Sequence, residues 1–312
     1  GQSTLLRGLK EISSNITAVV TVADDGGSSG KLRQELGVPP VGDIRNCIAA
    51  LADAEPAMGS LMQYRFPANE AEPGVAGHAL GNLLIAAMAD ITGDFEEGVR
   101  GANRVLAVRG QVVPVAGEAL NLNAELADGS TLEGQSRISH SRGIRRVWLS
   151  PASVEASHEA VDAIRTADLI VLGPGSLYTS LLPSLLVPGI RSALEKAPGL
   201  RVYVANVATQ LGETEGYTLS EHVAALSAHD VGHLIDVVLA NDDATARVPT
   251  GYPAEPVRID LPRNDARPRL ETAAVVDPDN AHRHDPQRLT KALVRLLDEQ
   301  PAARPVAPVR SA

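Results

Sequence analysis

Ala23-Asp24-Asp25-Gly26-Gly27-Ser28-Ser29-Gly30 places two adjacent carboxylates, three glycines and two hydroxyls directly behind an apolar, β-branched run, Ile16 to Val22. The run reads as a buried strand, and Lys31 to Leu36 reads as the opening of a helix. In an open α/β sheet the ligand crevice lies beyond the carboxyl ends of the strands. Asp24 and Asp25 suit a divalent cation or a ligand hydroxyl. Gly26 and Gly27 let backbone N–H groups approach an anion, and Ser28 and Ser29 offer hydroxyls to phosphate or sugar oxygens. Asp, Gly and Ser also build ordinary βα turns, so the segment alone leaves a binding loop and a plain turn both open.

Four further clusters repeat the pattern. In Gly42-Asp43-Ile44-Arg45-Asn46, Asp43 reads as the N-cap of a helix over Ile44 to Ala52. Free N–H groups and the dipole at such a start favour anions, which makes Asp43, Arg45 and Asn46 candidates; a motif that only begins a helix explains them equally. Gly77-His78-Ala79-Leu80-Gly81-Asn82 also opens a helix, and His78 beside Gly81 and Asn82 suits a proton donor, a hydrogen-bond donor to phosphate, or a structural ring. Gly173, Gly175 and Ser176, in Gly173-Pro174-Gly175-Ser176-Leu177-Tyr178-Thr179-Ser180, form a second candidate phosphate cradle behind a strand. Asn206, Thr209, Gln210, Glu213 and Thr214 follow a third. Each cluster is weak alone, but several polar loops on one edge of a parallel sheet are hard to explain as turn chemistry.

The elements that would carry these loops follow from periodicity. Thr4 to Ile12, Ala79 to Ile91, Phe95 to Val108 and Val154 to Ala167 read as helices, and Leu169 to Leu172, Val202 to Asn206 and Val237 to Asn241 as strands. From Gln111 the period becomes two, through Val112 to Val115, Leu122 to Leu126, an Asp128-Gly129 hairpin signal, Thr131 to Gln135, and Ile144 to Leu149. This predicts an antiparallel β excursion over about 111–149 within a Rossmann-like, mostly parallel α/β sheet flanked by helices. Residues 1–297 read as one nucleotide-binding domain, and 298–312, rich in Pro, Ala and Arg, as a disordered tail. Gly1-Gln2-Ser3 leads straight into a helix, so a further strand and glycine turn are expected upstream of Gly1.

A chain of 312 residues can bury a large core, and its net charge of −10 with no basic stripe argues against a nucleic-acid binder. Arg142, Arg145 and Arg146 read as a solvated strand face. A single cysteine, Cys47, excludes an internal disulfide framework, fits a reducing cytoplasmic setting, and reads as buried filler on a helix. No run is long and apolar enough for a membrane span.

Leu5-Leu6-Arg7-Gly8-Leu9-Lys10, Val20 to Gly30, Gly42 to Asn46, Gly77-His78 with Gly81-Asn82, Gly173 to Ser180, and Thr209-Gln210 with Gly212-Glu213-Thr214 together resemble the YvcK/CofD-like family, in its gluconeogenesis-factor branch. The resemblance runs from Gln2 to about Leu297. It implies a Rossmann-like fold, a homodimer, and a UDP-sugar such as UDP-N-acetylglucosamine across the strand ends. It also implies a non-catalytic regulatory role in cell shape and wall synthesis on gluconeogenic carbon sources, with cell-wall synthesis proteins as partners. The family's transferase branch shares the Asp-Asp pair but lacks the Gly26 to Gly30 continuation and differs at Gly173 to Ser180. For that branch the resemblance implies transfer of 2-phospho-L-lactate to a deazaflavin, where Asp24 and Asp25 would hold Mg²⁺. The family's opening glycine turn is represented here at most by Gly1. A third reading, an α/β enzyme using a dinucleotide such as NAD, is left open by the sequence.

Overall fold

The computed structural model describes residues 1–53, 57–67, 74–249, 251, 254–263 and 267–299; most of the expected tail, 300–312, lies outside them. Strand β1 (Thr17–Val20) pairs in parallel with β2 (Gln111–Pro114). An antiparallel sheet follows, made of β3 (Asn121–Leu126), β4 (Thr131–Glu133) and β5 (Ile144–Ser150), with β3 central. Strands β6 (Leu169–Leu172), β7 (Leu200–Val204), β8 (Val237–Asn241) and β9 (Arg269–Ala273) form a parallel sheet in that order. A short hairpin, β10 (Val276–Asp277) and β11 (Asn280–His284), leads into the last helix, Pro286–Asp298. The chain is therefore α/β, with a four-stranded parallel sheet, flanking helices and a smaller antiparallel sheet, as the alternation of periods predicts.

Burial explains the strands. Val237 to Ala240 of β8 are buried in succession, as expected for a central parallel strand covered on both faces. Tyr203, Leu172 and Ile170 belong to the main apolar core, whereas Val202, Val204, Val237 and Leu239 belong to a second one. Helix Gln2–Leu9 spans the two, with Leu6 in the first core and Leu5 in the second. It packs on helices Gly42–Leu51 and Pro286–Asp298. Punctuation between helices is conventional: Gly93, at φ +71°, ends helix Leu80–Thr92, and the Asp94 carboxylate accepts the Glu97 N–H at 2.9 Å to start helix Phe95–Val105.

Three expectations shift. The stretch from Gln111 begins with a parallel partner of β1, and the pairing turns antiparallel only at Asn121. The helix expected from Lys31 begins at Gly27, so Ser28 and Ser29 lie in its first turn. Asp43 is not an N-cap: helix Gly42–Leu51 is preceded by Val41, with no side-chain cap, and Asp43 sits inside the first turn. The solvated reading of the arginines fits, since Arg145 and Arg146 are exposed and pair with Glu125, and Arg142 pairs with Glu215. Cys47 is buried, and burial pushes its thiol up, as befits inert filler.

Buried histidines tie the sheets to their surroundings. The Val147 N–H on β5 donates to His229 Nε2 at 2.9 Å, while His229 Nδ1 lies 2.7 Å from the Ala225 carbonyl, so the bonded ring is neutral. On β11, His284 Nε2 lies 3.2 Å from the Ala205 carbonyl, and burial pushes its pKa down to about 4. Burial lowers His229 and His222 as well. A native pKa below the unfolded value of 6.5 stabilises the fold fully above that value. The contribution is lost as pH falls toward 4. Asp43 and Glu213, raised by burial, act in the opposite sense. The histidine part is therefore read by difference: the urea midpoint should fall between pH 7 and pH 4.5, and His284→Gln should flatten that slope. Equal slopes in the two proteins would remove His284 from the account.

Candidate functional site

The crevice is built where two helices begin side by side. Gly26 is the extended residue ahead of helix Gly27–Leu36, and Gly27 adopts φ +51°, a left-handed conformation that glycine takes without strain. Ser29 Oγ lies 2.6 Å from where a side chain on Gly42 would begin, so only a glycine lets the second helix start this close. First-turn N–H groups have no carbonyl one turn back, and two such turns converge here. Asp24 lies between them. Its Oδ1 accepts the Gly26 N–H at 2.9 Å, and its Oδ2 faces Gly42. Burial and the nearby Asp24 charge raise the pKa of Asp43.

Asp25 points elsewhere. Its Oδ1 accepts the Ser136 N–H at 2.8 Å, at the start of the short helix Gln135–Ile138, and its Oδ2 rests against Gly134. Successive side chains of an extended segment project to opposite sides. The two adjacent carboxylates thus serve different backbone donors, Asp24 at the crevice and Asp25 at Gly134 and Ser136. Among the described residues, no three His, Cys, Asp or Glu side chains gather closely enough to hold a metal ion.

Ser28 turns into the protein. Its hydroxyl lies 3.1 Å from His78 Nδ1 and accepts from Asn82 Nδ2 at 3.0 Å and from the Ala79 N–H at 3.3 Å. His78, Asn82 and Ser28 are all buried. This knot fixes the start of helix Leu80–Thr92 against the glycine-rich segment. Gly81 is required for another reason: a side chain there would begin 2.8 Å from Arg45 Cγ and from the Met62 carbonyl. Arg45 Nη2 donates to Asn46 Oδ1 at 3.0 Å, which also accepts from Gln63.

The loop behind β6 is filled differently from a phosphate cradle. Gly173, at φ +92°, leads through Gly175 to Ser176, whose Oγ accepts Gln210 Nε2 at 2.8 Å. The π-helical turn Leu177–Leu181 starts there. Buried Glu213 accepts the Tyr178 N–H at 3.1 Å and the Thr179 hydroxyl, so a carboxylate already faces this turn. Burial raises the Glu213 pKa against the pull of those bonds. Thr209 and Thr214 also brace the loop, Thr209 to Glu255 and Thr214 to the Gln210 N–H. What stays open is Asn206 Oδ1, Gln210 Oε1 and, beyond β1, Thr21 Oγ1, each buried without a hydrogen-bond partner.

The two halves of the crevice meet at Gly1. Its backbone touches Pro174, and Asp43 and Arg283 lie near it. Arg283, with His284, belongs to β11 and was not singled out by the sequence; period-two spacing of His282 and His284 is the one faint signal there. Replacing Glu213 by Ala strands the Tyr178 N–H and the Thr179 hydroxyl in a buried place, and should cost about 2–3 kcal/mol of unfolding free energy. Urea denaturation at pH 7 measures it. A loss no larger than a surface substitution would show that the turn needs no clamp.

A family model described as 2-phospho-L-lactate transferase CofD matches residues 1–276. The gluconeogenesis factor of Bacillus subtilis is 46% identical over 306 residues, covering 96% of each chain. That of Halalkalibacterium halodurans is 44% identical, covering 94% of this chain and 92% of its own. A longer relative from Nostoc sp. is 48% identical over 95% of this chain, which spans 66% of that protein. A crystal structure of a UPF0052 family protein from Bacillus halodurans superposes with a TM-score of 0.84 at 42% identity, over 94% of this chain and 95% of that one. Identity at this level over nearly the whole length leaves one placement: the chain belongs to the CofD family, in its gluconeogenesis-factor branch.

Proposed function

We propose that this chain is a regulatory protein that binds a UDP-sugar of the UDP-N-acetylglucosamine type across the crevice and catalyses no reaction on it. The observation that carries the reading is that segments directly behind strands and at helix starts hold buried polar atoms without a hydrogen-bond partner: Thr21 Oγ1 behind β1, Asn206 Oδ1 and Gln210 Oε1 behind β7, and Arg45 Nε and Nη1 and Asn82 Oδ1 in two first helical turns. Buried polar groups are almost always hydrogen-bonded, so these atoms favour a polar ligand with hydroxyl, amide and phosphate groups. Converging first turns supply N–H donors for a diphosphate. The named relatives are gluconeogenesis factors, which supports a role in cell shape and wall synthesis during growth on gluconeogenic carbon. In that role the protein works in the cytoplasm as a homodimer and signals to cell-wall synthesis proteins. No helix among the described residues is long and apolar enough to cross a membrane.

A transferase would need a centre that neutralises the charge developing on the phosphate. Asp25 already serves the Ser136 N–H, which counts against the Asp24 and Asp25 pair in that part. Calorimetric titration with UDP-N-acetylglucosamine, UDP-glucose, GDP and NAD, with and without Mg²⁺, tests the reading. A UDP-sugar should bind in the micromolar range, about 8 kcal/mol, with GDP and NAD weaker. Equal affinity for all four, or phospholactyl transfer to a deazaflavin abolished by Asp24→Asn, would overturn it.

A further inference from the structure

Arg45 is the most unusual charge in the molecule. It is 6% exposed, yet its Nε and Nη1 have no hydrogen-bond partner. A guanidinium that deep with two of its three nitrogens unpaired is costly, and room is made for its stem, since a side chain on Gly81 would collide with it. Two more cations gather around the same turn. Arg65 Nη1 donates to the Gly77 carbonyl at 3.2 Å, and Lys31 Nζ lies 4.0 Å from where a side chain on Gly77 would begin. Arg65 is close enough to press on the Arg45 charge. Asp43 and Asp24 pull on Arg45 from its other side. Even so, among the described residues none of the three cations forms an ion pair. In a protein of net charge −10, three cations about one five-residue turn, none of them in an ion pair among the described residues, are a built feature.

We propose that Arg45, Lys31 and Arg65, around the Gly77–Gly81 turn, form a phosphoryl-binding subsite, in which Arg45 grips the oxyanion with its two free N–H groups and the two exposed cations close over it. Nε–H and Nη1–H leave the planar guanidinium on different edges, with Nη2 given to Asn46, so the two free groups reach different oxygens of the bound phosphoryl group. The rigid guanidinium of Arg45, with Nε and Nη1 free, selects a phosphorylated ligand over a phosphate-free nucleoside. This deepens the nucleotide-sugar reading and rests on it for the identity of the ligand, though not for its anionic chemistry. It also assigns the phosphate to this turn, away from the loop behind β6 that Glu213 fills.

The test measures thermal shifts and affinities for pyrophosphate, UDP-N-acetylglucosamine and uridine with wild type, Arg45→Met, Arg45→Lys and the surface double variant Lys31→Ala/Arg65→Ala. Pyrophosphate and the UDP-sugar should stabilise wild type, and uridine should not. Arg45→Met should lose about tenfold or more in affinity for both while melting no lower than wild type unliganded, because it removes a buried unpaired charge. Arg45→Lys should recover little, lacking the guanidinium. The double variant, whose sites are exposed, should weaken binding and reduce its salt dependence, and it carries the test if Arg45→Met does not fold. Undiminished binding in Arg45→Met, or a lower unliganded melting temperature rescued by Arg45→Lys, would overturn the subsite. Pyrophosphate protection that needs Arg45, without UDP-sugar binding, would sink the nucleotide-sugar reading and keep the subsite. UDP-sugar binding indifferent to all variants would do the reverse.

Discussion

One buried hydroxyl organises the crevice. Ser28 Oγ is shared among the His78 ring, the Asn82 amide and the Ala79 N–H, and so locks the first turn of one helix to the first turn of another. With that knot in place, Ser29 is directed at Gly42, Gly81 lies under Arg45, and Asp24 falls between two helix starts. A neutral hydroxyl suits the part because it donates and accepts at once. A carboxylate at the same point would satisfy the donors but leave nothing for an accepting His78 nitrogen.

Much of the architecture is visible in the order of residues. Leu169 to Leu172 and Val237 to Asn241 are strands with the boundaries their apolar runs imply, since burial on both faces leaves continuous hydrophobic stretches. Elsewhere the reading fails for physical reasons. Gly27-Ser28-Ser29-Gly30 has poor helix propensity, so local pattern places the helix start too late, and tertiary contacts override it. The parallel partnership of β1 and β2 is hidden because the two strands are far apart in sequence.

The site is legible as a list of segments but not as a division of labour. Asp24 and Asp25 look equivalent side by side, yet one belongs to the crevice and the other to the backbone of a distant turn. Glu213 and the loop at Gly173 both look like ligand contacts, whereas each answers the other. His78, expected as donor or structural ring, is committed to Ser28. The isolation of Arg45 and the approach of Arg283 have no local signal, because a missing partner is a property of three-dimensional neighbours.

The hydrogen bond from Ser136 to Asp25 joins residues 111 positions apart. Few contacts of such span are favourable until most of the intervening chain is in place, because loop closure must be met first by conformational entropy. The glycine-rich wall of the crevice is thereby fastened to a segment inside the antiparallel sheet, between β4 and β5. Binding competence then becomes a late event in folding, and a nascent or partly unfolded chain cannot present a half-built crevice that signals occupancy. Under the regulatory role proposed above, that ordering would make the signal all-or-none with respect to the integrity of the fold.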